Sequence, residues 1–149
     1  MNPILRNVLA IIAGIVAGSI VNMGLIQVIG MMIPAPEGVD VNDMQSIIDN
    51  ADKFEGKHFV GPFLGHAIGT LVGAWVAVRL AATKRISIAL ALGIWFLLGG
   101  ITAAALIPSP TWFIILDLAL AYIPMAWFAW MISKKDPPET DIPSEVLDA

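Results

Sequence analysis

"GPFLGHAIGTLVGAWVA", Gly61 to Ala77, decides how this chain is read. Glycine recurs at every fourth position, Gly61, Gly65, Gly69 and Gly73, and the row continues in Ala77 and Ala81. The stretch is otherwise almost wholly apolar, with one ionisable side chain, His66, beside the row. Lipid gives helices no hydrophobic reason to associate, so dispersion and close backbone approach must hold them together, and small side chains permit that approach. Successive i+4 positions drift by about 40° around a helix, so the row winds and suits a partner at a right-handed crossing of about −40°. Ala10, Gly14, Gly18 and Asn22 repeat the register upstream. The spacing therefore predicts a glycine-zipper contact between the two segments. The row is longer than one crossing point, so part of it is expected to face another segment or a second copy. Gly93, Gly99, Gly100 and Ala104 form a further small surface.

Composition agrees with a membrane setting. The 149 residues are 58% hydrophobic, against about 45–50% for soluble domains, and the mean hydropathy is +0.82. Only 13% are charged, and the formal charge of -4 arises from 37–55 and 136–148 rather than from a buried acidic centre. No basic face suits nucleic acid. The absence of cysteine removes disulfides, thiolate catalysis and cysteine metal sites.

Four segments reach the roughly 20 apolar residues that cross a bilayer: 5–32, 59–79, 86–107 and 112–132. Each is expected to be a helix, because an open strand in lipid leaves backbone polar groups unpaired. The first is too long for a signal-peptide core and reads as an uncleaved anchor. Arg6, the Arg79, Lys84 and Arg85 turn, and Lys134 with Lys135 fall on one side of a four-pass chain. The positive-inside rule makes that side cytoplasmic, with both termini inside. Trp112 suits an outer aromatic belt, Trp75, Trp127 and Trp130 an inner one, and Trp95 neither.

The outer side receives the 33–58 connection and the "IPSPTW" turn, Ile107 to Trp112. In "VNDMQSIIDNADKFEG" a capping residue, Asn42 or Asp40, precedes Met44, Ile47, Ile48, Ala51 and Phe54 at helical spacing, with Gly56 as a stop. This predicts a short amphipathic helix on the membrane surface or the bundle mouth. Its acidic face, Asp43, Asp49 and Asp52, reads as solvated, with a cation or partner site as the alternative. Residues 134–149, proline-rich and acidic, read as a disordered cytoplasmic tail.

Asn22, His66, Thr102 and Asp117 are polar residues inside the spans. Each lies roughly 8–11 Å from the outer end of its helix at a rise of 1.5 Å per residue, which predicts one cluster in the outer half of the membrane. An ionised aspartate at a span centre costs about 2.5–3.5 kcal/mol on insertion scales, so Asp117 needs a partner. In one reading His66, Asn22, Thr102 or Tyr122 neutralises it and the set fixes which faces meet. In the other, His66 and Asp117 titrate as a pair and bind a proton, a cation or a polar head group. Asp117 shares a face with Ala121 and Pro124, leaving Phe113, Leu116 and Leu120 outward, and Pro124 predicts a kink.

No zinc-protease, nucleophile-elbow or phosphate-loop pattern occurs, and His58 and His66 lack a metal-binding i+4 relation. The chain reads as non-enzymatic, without cofactor or metal. "KHFVGPFLGHAIGTLVGAWVA" and "LIPSPTWFIILDLALAYIPMAWF" resemble segments of small four-span hypothetical proteins of the bacterial inner membrane. The resemblance implies that setting and no residue roles. The expected fold is all-α, a polytopic four-helix membrane bundle with a surface helix, whose partners are the bilayer and itself or other membrane subunits. Two functions fit: a packing or accessory component of a membrane assembly, and a transporter or channel for a proton or small solute using His66 and Asp117.

Overall fold

The computed structural model describes residues 1–133; the expectations for the tail, 134–149, lie outside the described residues. Among these the secondary structure is helical throughout, with no strand. Helix α1 runs Pro3–Met32, α2 Met44–Asp49, α3 Val60–Leu80, α4 Arg85–Leu106, α5 Thr111–Leu120 and α6 Ile123–Ile132. Four stretches are long and apolar enough to cross a membrane: Pro3–Met32, Gly56–Leu80, Arg85–Leu106 and Thr111–Ile132. The chain is a multi-pass membrane protein.

Local chemistry sets the helix ends. Asn2 caps α1 by accepting the Ile4 N–H at 2.9 Å, with Pro3 at the first helical position, where a missing N–H costs nothing. The helix stops at Ile33, whose backbone is extended ahead of Pro34. The first turn of α1 also secures the α3–α4 turn. Arg6 Nε donates to the Leu80 carbonyl at 2.8 Å, while Asn7 accepts from the Ala82 N–H at 2.9 Å and donates to Thr83 Oγ1 at 2.9 Å. Arg6, Arg79, Lys84 and Arg85 thus share one end of the molecule, the basic end. The 33–58 connection occupies the opposite, acidic end.

The surface helix is shorter than its hydrophobic spacing suggests. Asp43, rather than Asn42 or Asp40, caps α2 by accepting the Gln45 N–H at 3.0 Å. After Asp49 the chain tightens into two 3₁₀ turns, Ala51–Lys53 and Gly56–Phe59. Asp40 bonds Asn42 and Asp49 accepts from Gln45 Nε2 at 2.7 Å, so three of the segment's acids are engaged in holding its own backbone and side chains.

Helices α1 and α3 run antiparallel and touch along nearly their full length. Gly61 faces Ile29, Gly65 faces Ile26 and Asn22, Gly69 faces Asn22 and Gly18, and Gly73 faces Gly14. A Cβ on Gly14 would stand 2.6 Å from the Gly73 carbonyl oxygen, and one on Gly69 2.9 Å from that of Gly18. No side chain larger than hydrogen fits those positions without a shift. The row is thus occupied inside the chain. The other face of α3, Ala74, Val78 and Ala81, packs with Ile88, Ala89 and Leu92 of α4 and Ala126 and Ala129 of α6. Small residues face inward and large apolar ones outward, with Ile12, Val16 and Ile20 of α1, Trp95 and Leu98 of α4 and Ile115 of α5 exposed. That distribution suits hydrocarbon, where interiors gain from close packing and exteriors lose nothing by exposure.

The fourth span is two helices rather than one kinked helix, because the backbone leaves the helical path at Tyr122, directly after Ala121 closes α5. Pro124 supplies the reason: it has no N–H for the Leu120 carbonyl, and its ring crowds that carbonyl. One side-chain expectation fails here. Phe113 is buried, stacked 4.7 Å from Phe59, because the Gly56–Phe59 turn folds back over the top of α5, while Leu116 and Leu120 do face outward.

Candidate functional site

Helix α3 directs its glycines to α1 and turns His66, next to Gly65, toward α5. There His66 Nδ1 lies 2.9 Å from Asp117 Oδ1 and 3.0 Å from Oδ2. With Asp117 as a carboxylate, which only accepts, Nδ1 is the nitrogen that carries the proton and donates it. The Tyr122 hydroxyl donates to Asp117 Oδ2 at 2.8 Å. Tyr122 is 2% exposed, Asp117 4%, and the His66 side chain 19%. Three side chains from three elements therefore form one hydrogen-bonded line, Tyr122 to Asp117 to His66.

The break in span four makes this line geometrically feasible. In a continuous helix, five residues turn the chain through about 500°, leaving Tyr122 some 140° away from Asp117. The break at Tyr122 brings the ring back. Gly100 of α4 completes the arrangement: a Cβ there would collide with the Tyr122 hydroxyl, so only glycine leaves room for it. The His66 and Tyr122 rings lie 5.7 Å apart, tilted by 31°.

A cavity of about 750 Å³ stands over this line and opens at the acidic end. Its deepest residues are Met23 of α1, His66, Gly100, and Asp117 with Leu118, and its sides rise along the outer turns of α1, α4 and α5. The lower limit has a cause. Phe96 of α4 fills the crossing of α1 and α3 beside Gly18 and Gly73, and the cavity's lining begins on the outer side of it, at Met23 of α1 and Gly100 of α4. Phe54, His58 and Phe59 close part of the mouth, with Phe59 edge-on to Trp112 at 5.8 Å. His66 Nε2 makes no hydrogen bond to the described residues, and His66 is among the residues that line the cavity.

Of the four polar residues singled out, the structure joins two. Thr102 does not belong to the set: it is exposed, and its hydroxyl donates to the Leu98 carbonyl of its own helix at 2.8 Å. Threonine can satisfy itself in this way at one turn's distance, so depth alone did not bring it to Asp117. Asn22 lies at the glycine seam against Gly65 and Gly69 and makes no hydrogen bond to His66 or Asp117. Tyr122, in the sequence only one of several partners open to Asp117, is the one that joins His66 there. It is the chain's single tyrosine and stands two residues before Pro124, which is the signal available in sequence. Thr70 carried no such signal. It sits one turn below His66 on α3, 1% exposed, and its hydroxyl has no hydrogen-bond partner among the described residues.

Comparison with known protein families, curated proteins and solved structures gave no match. What stands of the resemblance is its coarse form: a small all-α protein with four long apolar helices, of unclear family. Chemically, the site offers a carboxylate held by two donors and an imidazole with one nitrogen open to an apolar chamber. His66 and Asp117 are joined by no third histidine, aspartate or glutamate in a metal-holding group among the described residues.

Proposed function

We propose that the chain is a membrane transport protein for a proton or a small solute, working through His66 and Asp117. One observation carries the reading: an intramembrane histidine–aspartate pair at 2.9 Å, steadied by Tyr122, on the floor of a cavity. Ionisable groups are expensive in a bilayer, and where they persist they usually mark an ion or substrate pathway. With Nδ1 engaged by Asp117, the Nε2 lone pair of neutral His66 accepts a proton or a donor group from the cavity. The resulting imidazolium rests against the carboxylate, which offsets its charge.

Between Thr70 and Ser133, whose hydroxyl is bonded to the Ala129 carbonyl at the basic end, the buried core is apolar, through Ala74, Val78, Leu92, Ala126 and Ala129. A proton or solute therefore leaves toward that end only through a rearrangement. The unwound Ala121–Tyr122 junction, next to Asp117, is the element we assign to it. The positive-inside rule sets the basic end in the cytoplasm and the cavity outside, in the bacterial inner membrane that the resemblance implies. The work is non-enzymatic in this reading.

A second reading, an accessory or self-associating component of a membrane assembly, draws on Gly24, Gly30 and Gly99, which have nothing packed against them and offer notches to a neighbouring helix. Reconstitution separates the two. Protein in liposomes is expected to move protons or solute, with at least a tenfold loss of flux in His66→Ala and Asp117→Asn at unchanged elution volume in detergent. Variants that dissociate or unfold, with no flux in the parent protein, would leave the accessory reading in place of the transport one.

A further inference from the structure

The transport reading does not say what the cavity holds, and its chemistry is unusually one-sided. The floor carries a carboxylate whose two hydrogen-bond donors, His66 and Tyr122, are neutral when the imidazole is neutral. In that state the floor has a formal charge of minus one and a single free polar function, the Nε2 lone pair, which only accepts. An anionic head group would meet like charge in a poorly screened chamber, and a neutral carbonyl would find no donor at Nε2. A cation bearing N–H satisfies both the charge and the acceptor.

The walls are mainly apolar, with Gln27, Asn42, Lys57, His58 and Ser109 as their polar members, and favour a ligand whose body is largely apolar. Ile26 of α1, Ala104 of α4 and Ile107 just past its end, and Phe113 and Leu118 of α5 line the chamber. Its volume of about 750 Å³ falls within the roughly 300–1,000 Å³ range of sites for drug-sized ligands. Phe59 and Phe113, with centroids 4.7 Å apart, add aromatic rings to that wall, and a cation over a ring face is attracted. The approach has the same sign. Residues 33–58 carry six acids, Glu37, Asp40, Asp43, Asp49, Asp52 and Glu55, against Lys53 and Lys57, an excess of four negative charges in the segment at that end, although of these Lys57 is the one that lines the cavity itself. Such a field raises the local concentration of cations.

We propose that the cavity binds a lipophilic cation, a hydrophobic amine in its protonated form, with N–H donated to His66 Nε2, charge balanced by Asp117 and the apolar body against Ile26, Ile107 and Phe113. The assignment rests on the transport reading of the same pair and names its substrate class.

The test uses purified full-length protein in lipid nanodiscs, with empty nanodiscs as the partition control. Three probes are titrated: 9-aminoacridine, a flat lipophilic cation with N–H donors; tetraphenylphosphonium, a lipophilic cation without them; and anthracene-9-carboxylate, an anion of similar shape to the first. The proposal expects saturable binding of 9-aminoacridine, at least tenfold weaker binding of tetraphenylphosphonium, and none of the anion. Asp117→Asn is expected to weaken 9-aminoacridine at least tenfold. Ala104→Phe, which fills the chamber without touching the three hydrogen-bonded side chains, is expected to do the same at unchanged melting temperature, and it decides the matter if Asp117→Asn does not fold. Equal binding of the anion, or undiminished 9-aminoacridine binding in the folded variants, overturns the proposal. Proton flux in dye-free liposomes from the same preparations keeps the two readings apart. Flux that depends on His66 without saturable 9-aminoacridine binding defeats the ligand class and leaves transport standing, whereas saturable binding without any flux does the reverse.

Discussion

Gly14 and Gly99 are both glycines in apolar helices, and a single added methyl group would treat them oppositely. On Gly14 it would stand 2.6 Å from the Gly73 carbonyl oxygen and 2.8 Å from the Ala77 Cβ; on Gly99 it would meet open space. Neither backbone oxygen nor helix axis yields cheaply, so Gly14→Ala and Gly73→Ala are expected to lower stability by about 1–3 kcal/mol, the usual cost of overpacking. Gly99→Ala is expected to be neutral or to gain up to about 1 kcal/mol from helix propensity. Denaturant titration of the detergent-solubilised variants measures both. Equal effects at the three positions would show that close backbone approach is not what α1 and α3 depend on. Gly100 differs again, because the atom in its way is the Tyr122 hydroxyl, a group of the candidate site. Glycine spacing in sequence distinguishes none of these three cases, since each depends on what the opposing helix presents.

At the scale of elements, the α5–α6 break decides whether Tyr122 reaches Asp117. Pro124→Ala restores the missing N–H and lets the two helices join, a gain of up to about 3 kcal/mol in propensity. The hydrogen bond it would draw apart, to a charged acceptor, is worth about 1.5–3 kcal/mol. The two nearly cancel, so stability is a poor readout. The tyrosine itself is a better one, because the chain has a single tyrosine. The ultraviolet resonance Raman doublet of Tyr122 is expected to change from that of a hydroxyl donating to a carboxylate to that of a weakly bonded phenol in Pro124→Ala. An unaltered doublet would mean that packing against Gly100 and Gly93, rather than the proline, keeps the span broken. The proline was legible in sequence as a bend, but the room for the Tyr122 ring depended on Gly100, a glycine on another helix.

The whole molecule is polarised along the helix axes. Arg6, Arg79, Lys84 and Arg85 gather at one end through the Arg6–Leu80 and Asn7–Thr83 bonds, and the acid-rich 33–58 connection covers the other. The polar site lies in the half nearest the acids, and the half nearest the bases is packed with alanine, valine and leucine. If the basic end is cytoplasmic, the cavity faces outward, and the absence of native cysteine allows a direct check. In intact cells a membrane-impermeant maleimide is expected to label Asp52→Cys, and to label Thr83→Cys only after the membrane is opened. The opposite pattern would turn the cavity, and the direction of any transport, to the inside. Asp52 is exposed in the acidic connection and Thr83 in the basic turn, so both positions are reachable once on the reagent's side.

What the amino-acid sequence determined by itself is whatever depends on a solvent and a period. Long apolar runs must be helices in lipid, charges must collect where water is, and glycine at every fourth residue marks a face with no bulk. These follow from local chemistry averaged over many residues, so a misjudged boundary changes little. The tertiary structure alone decided which polar groups meet. His66 found Asp117 across two helices, Tyr122 joined them through a broken span, Thr102 turned to its own backbone, and the chamber formed between the outer turns of α1, α4 and α5 beyond Phe96. A hydrogen bond is made or lost within an ångström, and relations that fine exist only once the helices have taken their places.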